Sequence, residues 1–95
     1  MAVSLADRVV AGPDVLVRTV GDESVLLNVA TETYFGLNPI GTRMWHLLIE
    51  SASIQSVRDA LLAEYEVAPD ELQRDLETFI GELMARQLVR LEPPR

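Results

Sequence analysis

Between Val15 and Leu37 apolar and polar residues alternate in short runs, and beyond Pro39 the apolar positions recur at helical spacing. Val15–Val20 is rich in β-branched residues and reads as a strand. Gly21-Asp22-Glu23 is a turn. Val25–Val29 is a second strand, with Val25, Leu27 and Val29 sharing one face. Ala30-Thr31-Glu32 turns the chain again, and Thr33–Leu37 is a third strand. Links this short permit only an antiparallel meander.

Asn38 then caps a helix, with Pro39 at its first position, where a missing N–H costs nothing. Ile40, Met44, Leu47 and Leu48 mark its apolar stripe, and Trp45 widens it. Gly41 within this helix costs about 1 kcal/mol relative to Ala, which points to close packing on a strand. Ser53 caps a second helix, whose buried face is Ile54, Val57, Leu61, Leu62 and Tyr65. Val67-Ala68-Pro69 ends it. Asp70 and Glu71 open a third helix, where acids suit the positive end of the dipole. That helix runs to Gln87 with a broad stripe of Leu72, Leu76, Phe79, Ile80, Leu83 and Met84. The chain ends are weakly patterned. Met1–Gly12 is either a loose arm or docks through Leu5, Val9 and Val10. Leu88–Leu91 reads as a short extended tail, and Glu92-Pro93-Pro94-Arg95 as a disordered end.

Strands followed by helices imply an α+β domain: a three-stranded antiparallel sheet, then three helices. The second and third helices have the length and tight connection of a helix-turn-helix, and the sheet beside them makes the shape winged-helix-like. At 95 residues there is room for one domain, 1–95, with its core at about 14–91.

Composition narrows the function. With no Cys there is no disulfide and no thiol nucleophile, which fits a reducing cytosol. Every basic side chain is Arg, so Schiff-base and phosphate-loop lysines are excluded. His46 is the single histidine, expected on a helix surface, and leaves little scope for a metal site or a nucleophile–base pair. Asp70, Glu71, Asp75, Glu77 and Glu82 lie along one helix and read as a solvated acidic face. Neither catalysis nor a cofactor is expected. A net charge of −7 opposes nucleic-acid binding, and the N-terminus of the third helix carries three carboxylates against Arg74 alone. Met1–Val10 contains Asp7 and lacks the apolar core of a secretory signal. No apolar run approaches the ~20 residues that span a membrane. A soluble cytoplasmic protein is expected.

The third strand is the informative element. It follows the middle strand of the meander and should form an edge, and between Thr33 and Leu37 it has no Lys, Pro or charge to protect that edge. An extended peptide could add there as a fourth strand, with pockets beside it setting specificity. Tyr34 and Phe35 are equally compatible with ordinary sheet and core roles. The same edge allows strand exchange between copies, hence a homodimer.

The elements Val25–Asn28, Tyr34-Phe35-Gly36-Leu37-Asn38, Gly41 and Trp45, in this order, resemble the PqqD-like family of leader-peptide recognition domains. The likeness runs from about Asp14 to Leu91. It implies capture of the leader of a ribosomally made precursor peptide, laid as a strand along the third strand and packed on the third helix. Thr33, Tyr34, Phe35, Gly36 and Leu37 are the implied strand contacts, and Asp75, Leu76, Phe79 and Glu82 the implied helix contacts. Acidic groups there would suit a leader bearing Lys or Arg. Two positions depart from the family pattern. Glu32 stands where the hairpin often has Gly, and Gln87 where Gly often closes the third helix. Within the family the chain looks most like the small stand-alone partner of a lasso-peptide leader protease. The alternatives are a PqqD-type chaperone that serves a radical enzyme, a small winged-helix DNA-binding protein, and an assembly module without a peptide substrate.

Overall fold

A computed structural model of the chain describes residues 4–93. It opens with a strand that periodicity alone left undecided. This strand, β1 (Arg8–Ala11), pairs antiparallel with the last, β5 (Val89–Glu92), so that Val9 faces Leu91 and Ala11 faces Val89. Val9, Leu88 and Val89 are buried. The N-terminal segment is therefore docked, and Glu92 belongs to a strand instead of a disordered end; Pro94 and Arg95 lie outside the described residues, as do Met1–Val3.

Between these come β2 (Val15–Val20), β3 (Glu23–Asn28) and β4 (Thr33–Leu37), an antiparallel sheet of order β2–β3–β4. The middle strand starts and stops earlier than its apolar run suggests. Its core face is Ser24, Leu26 and Asn28, whereas Val25 and Val29 are 43% and 47% exposed. The Val25–Leu27–Val29 face thus points outward. Two polar residues can take the inward positions because each finds partners there. The Ser24 and Thr42 hydroxyls are 2.8 Å apart. Asn28 accepts through Oδ1 from the amides of Ala30 and Thr31, closing the β3–β4 turn, and donates through Nδ2 to the Gln87 carbonyl at 2.7 Å.

The helices are α1 (Pro39–Glu50), α2 (Ile54–Glu64) and α3 (Pro69–Ala85). Asn38 Oδ1 accepts from the Gly41 amide at 2.7 Å, the expected cap. Trp45, Met44 and Leu48 face the core, but Ile40 is 49% exposed. A Cβ on Gly41 would meet Asn38 Oδ1 at 3.2 Å and Leu37 Cβ at 3.5 Å, so the helix start packs against the end of β4. In α2 the orphan amides of the first turn are all accounted for. Ile54 donates to the Asp7 carbonyl, Gln55 to Leu5, Ser56 to Ser53 Oγ, and Val57 to the Ser53 carbonyl. The N-terminal segment thus completes the α2 cap. Tyr65 lies past the end of α2 and is exposed, not part of its buried face. Arg43 on α1 donates through Nε to both carboxylate oxygens of Glu64, each at 3.1 Å, and joins the two helices.

The helix α3 buries Leu72, Leu76, Ile80 and Leu83, and stops at Ala85. Gln87 donates to the Met84 carbonyl and Leu88 to the Leu83 carbonyl, the paired bonds of a Schellman close. That close needs a left-handed residue, and Gln87 supplies it at φ 57°. Glu32 has the same φ of 57° in the β3–β4 turn. Both positions keep a glycine-type backbone without a glycine.

Candidate functional site

On its side away from β3, β4 has no strand partner among the described residues. A cleft of about 440 Å³ runs beside it, between the strand, the start of α1 and α3. From β4 come Phe35, Gly36 and Leu37; from α3 come Asp75, Phe79 and Glu82. The α3 residues form one stripe because positions four and seven apart share a helix face. Phe35 points to the helix side of the sheet, and its ring centroid is 6.3 Å from that of Phe79. The two rings make an apolar floor.

The other expected contacts lie elsewhere. Leu76 is one residue on from Asp75, hence about 100° around the helix. It is 1% exposed in the core and does not line the cleft. Tyr34 is 69% exposed on the opposite face of the sheet, as strand alternation requires between Thr33 and Phe35. Thr33 lies at the start of β4, its hydroxyl bonded to that of Thr31 at 2.9 Å, and does not line the cleft.

Six residues were missed. Asn38 and, from α1, Ile40, Gly41 and Met44 close the Leu37 end, and Thr78 joins the α3 wall. Ile40 was expected on the buried stripe of α1 and is instead exposed at the cleft. Arg86 is the sixth. Its guanidinium carbon sits 4.6 Å from the Phe35 ring centroid, and Nη1 donates to the Glu82 carbonyl. Spacing was the available signal: Arg86 is seven residues past Phe79 and four past Glu82, on the same stripe of the expected helix.

The cleft has a polarity. The strand β4 runs antiparallel to α3, because Asn28, paired with Thr33, also holds Gln87 at the C-terminal end of α3. Arg86 therefore stands at the Thr33 end. Asp75 and Glu82 enter no ion pair among the described residues, so their carboxylates are available to a ligand. An apolar floor, a free strand edge and unpaired acids suit an extended peptide with apolar and basic side chains. His46 is half-buried on α1. Among the described residues no group of three or more His, Asp or Glu side chains is placed to hold a metal ion.

Comparison with solved structures finds the same architecture. The chain is similar to TbiB1 in complex with the TbiA(beta) leader peptide, with 37% identity and a TM-score of 0.81 over 85% of this chain and 94% of that one. It shares the fold of a lasso peptide synthetase B1 complexed with the leader peptide, with 24% identity and a TM-score of 0.77 over 90% of this chain and 98% of that one. No curated protein matches it. The family model of coenzyme PQQ synthesis protein D matches residues 23–89, from the start of β3 to the start of β5. The chain belongs to the PqqD family.

Proposed function

We propose that this protein binds the leader segment of a ribosomally synthesised precursor peptide and presents it to a separate processing enzyme. The observation that carries this is the free edge of β4, backed by the Phe35–Phe79 floor. The leader adds to β4 as a fourth strand, its main chain bonded to the strand edge and alternate side chains seated in the cleft. The likeness to two structures described as leader-peptide complexes supports this reading. On this reading the enzyme served is a lasso-peptide leader protease, in keeping with the fold shared with a lasso peptide synthetase B1; a radical enzyme is the alternative. The acidic first turns of α3 speak against the DNA-binding alternative. The protein's own role is capture, not catalysis. No helix among the described residues is long and apolar enough to cross a membrane. On this reading the protein works in the cytoplasm, where ribosomes make the precursor.

The test is the affinity of a Phe79→Ala variant for the synthetic leader of the precursor encoded with this protein. Phe79 is half-buried and lines the cleft, so truncation should weaken binding at least about tenfold while the fold survives. A folded variant with wild-type affinity would contradict the assignment.

A further inference from the structure

Arg43, Arg58 and Arg90 each pair with a carboxylate, but Arg86 pairs with none among the described residues, although Glu82 stands one turn behind it. Its side chain is nevertheless fixed. The guanidinium lies over the Phe35 ring, with Cζ 4.6 Å from the centroid, and Nη1 donates to the Glu82 main-chain carbonyl at 3.3 Å. The residue is half-buried. A guanidinium has five N–H donors, and this bond uses one of them. Stacking occupies the face of the group and leaves its in-plane edge, where a carboxylate binds through two parallel bonds. A side chain already held by a ring and a carbonyl loses little freedom when it does so.

Arg86 is also placed to meet an added strand. No residue lining the cleft is basic, and Arg86 adjoins it at the Thr33 end through Phe35. Asp75 stands toward the other end of the same helix stripe, so the α3 wall changes sign along its length. Eleven residues separate the two, about 16 Å at 1.5 Å per helical residue. An extended peptide covers that distance in about five residues, at about 3.3 Å each. Its cleft-facing side chains recur every second residue, so those opposite Arg86 and Asp75 are about four or six apart.

Main-chain bonding alone leaves the register of that strand undetermined. A peptide on β4 that slips by two residues keeps the same side chains toward the cleft and the same pattern of amide bonds. The slip would carry a leader carboxylate about 7 Å from the guanidinium, beyond bonding reach. We propose that Arg86 is a specificity-determining residue, which binds an Asp or Glu side chain of the leader at the Thr33 end of the cleft and so fixes the register of the added strand. The inference rests on the leader-carrier reading above. It narrows the ligand to leaders whose cleft-facing residues are acidic at the Arg86 end, apolar over Phe35 and Phe79, and basic at the Asp75 end.

The test uses the full-length protein and the synthetic leader of the precursor encoded with it. Leader copies are made in which one Asp is changed to Asn, or one Glu to Gln, at a time. Against wild type, one of these copies should bind about three- to tenfold more weakly than the unaltered leader. Arg86→Gln should bind that copy and the unaltered leader equally, because the pair is already broken. Arg86→Glu should bind the unaltered leader worst, and a copy with Lys at the same leader position should regain affinity. An Arg86 that only supports Phe35 and the end of α3 would lower the affinity for every copy alike. That result, or a set in which no copy loses affinity for wild type, or a folded Arg86→Gln with wild-type affinity, overturns the inference and leaves the carrier reading standing. Failure of wild type to bind the unaltered leader overturns the carrier reading itself. If Arg86→Gln does not fold, wild type carries the test by nuclear magnetic resonance. The Arg86 Nε–H signal, assigned through its contact with Phe35, should shift with the unaltered leader and stay in place with the weakly bound copy at saturation. An equal shift with both overturns the inference.

Discussion

Asn28 is where a single substitution should disturb the most structure. It is 5% exposed and joins three parts of the chain. Its Oδ1 holds the β3–β4 turn through the amides of Ala30 and Thr31, at 3.0 and 3.2 Å. Its Nδ2 donates to the Gln87 carbonyl at 2.7 Å, across 59 residues of sequence. Asn28→Ala removes all three bonds. At about 0.5–1.5 kcal/mol each the loss is about 1.5–4.5 kcal/mol. Small domains hold only about 0.05–0.15 kcal/mol per residue, so this is a large part of the total. The expected drop in melting temperature is roughly 10–30 °C. Asn28→Asp separates the roles: it keeps the acceptor for the turn but replaces the donor with a carboxylate facing a carbonyl. Urea unfolding of the three proteins measures the difference. Both variants should also bind leader less well, because this bond sets β4 against the end of α3. A loss below about 0.5 kcal/mol for Asn28→Ala, with unchanged denaturant slope, would refute the reasoning.

Gln87→Gly should stabilise the protein by about 0.5–1 kcal/mol, since a left-handed residue with a side chain is strained by about 1–2 kcal/mol and glycine's unfolded-state entropy offsets only part of that; thermal melting decides it, and a lower melting temperature counts against. Trp45, 3% exposed, should be structural: Trp45→Ala should lose about 3–5 kcal/mol, and an unchanged melting curve would contradict its place in the core. Asp75→Asn with Glu82→Gln should weaken leader binding several-fold at low salt and less at high salt, because each exposed pair contributes only about 0.2–1 kcal/mol and is screened; equal affinities at low salt would leave recognition to the apolar floor and strand edge.

Much of this architecture was legible because it is encoded locally. The Asn38-Pro39 start, the Ser53 cap and the 3.6-residue stripes place the helices within a few residues, and the short turns leave only a meander. What escaped was long-range. The strand β1 is four residues long and its partner lies at the other end of the chain, so no local period reports the pairing. The facing of β3 was obscured because its inward residues Ser24 and Asn28 look solvent-seeking until their partners Thr42 and Gln87 are in place. The strand half of the site followed from edge position, and alternation then removes Tyr34 from the cleft. On the helix half, Leu76 is adjacent in sequence to Asp75 but on another face. Arg86 continues that stripe four residues past Glu82, but its reach to Phe35 shows only once strand and helix are packed together.

The central claim is that a leader peptide becomes the fourth strand of the sheet at β4. The most direct measurement is backbone amide chemical shift and hydrogen exchange in the full-length protein, with and without synthetic cognate leader. Shifts and new protection should concentrate in Thr33–Leu37, with further shifts from Asp75 to Glu82 along α3. Changes confined to Val15–Val20, the other edge of the sheet, would contradict it.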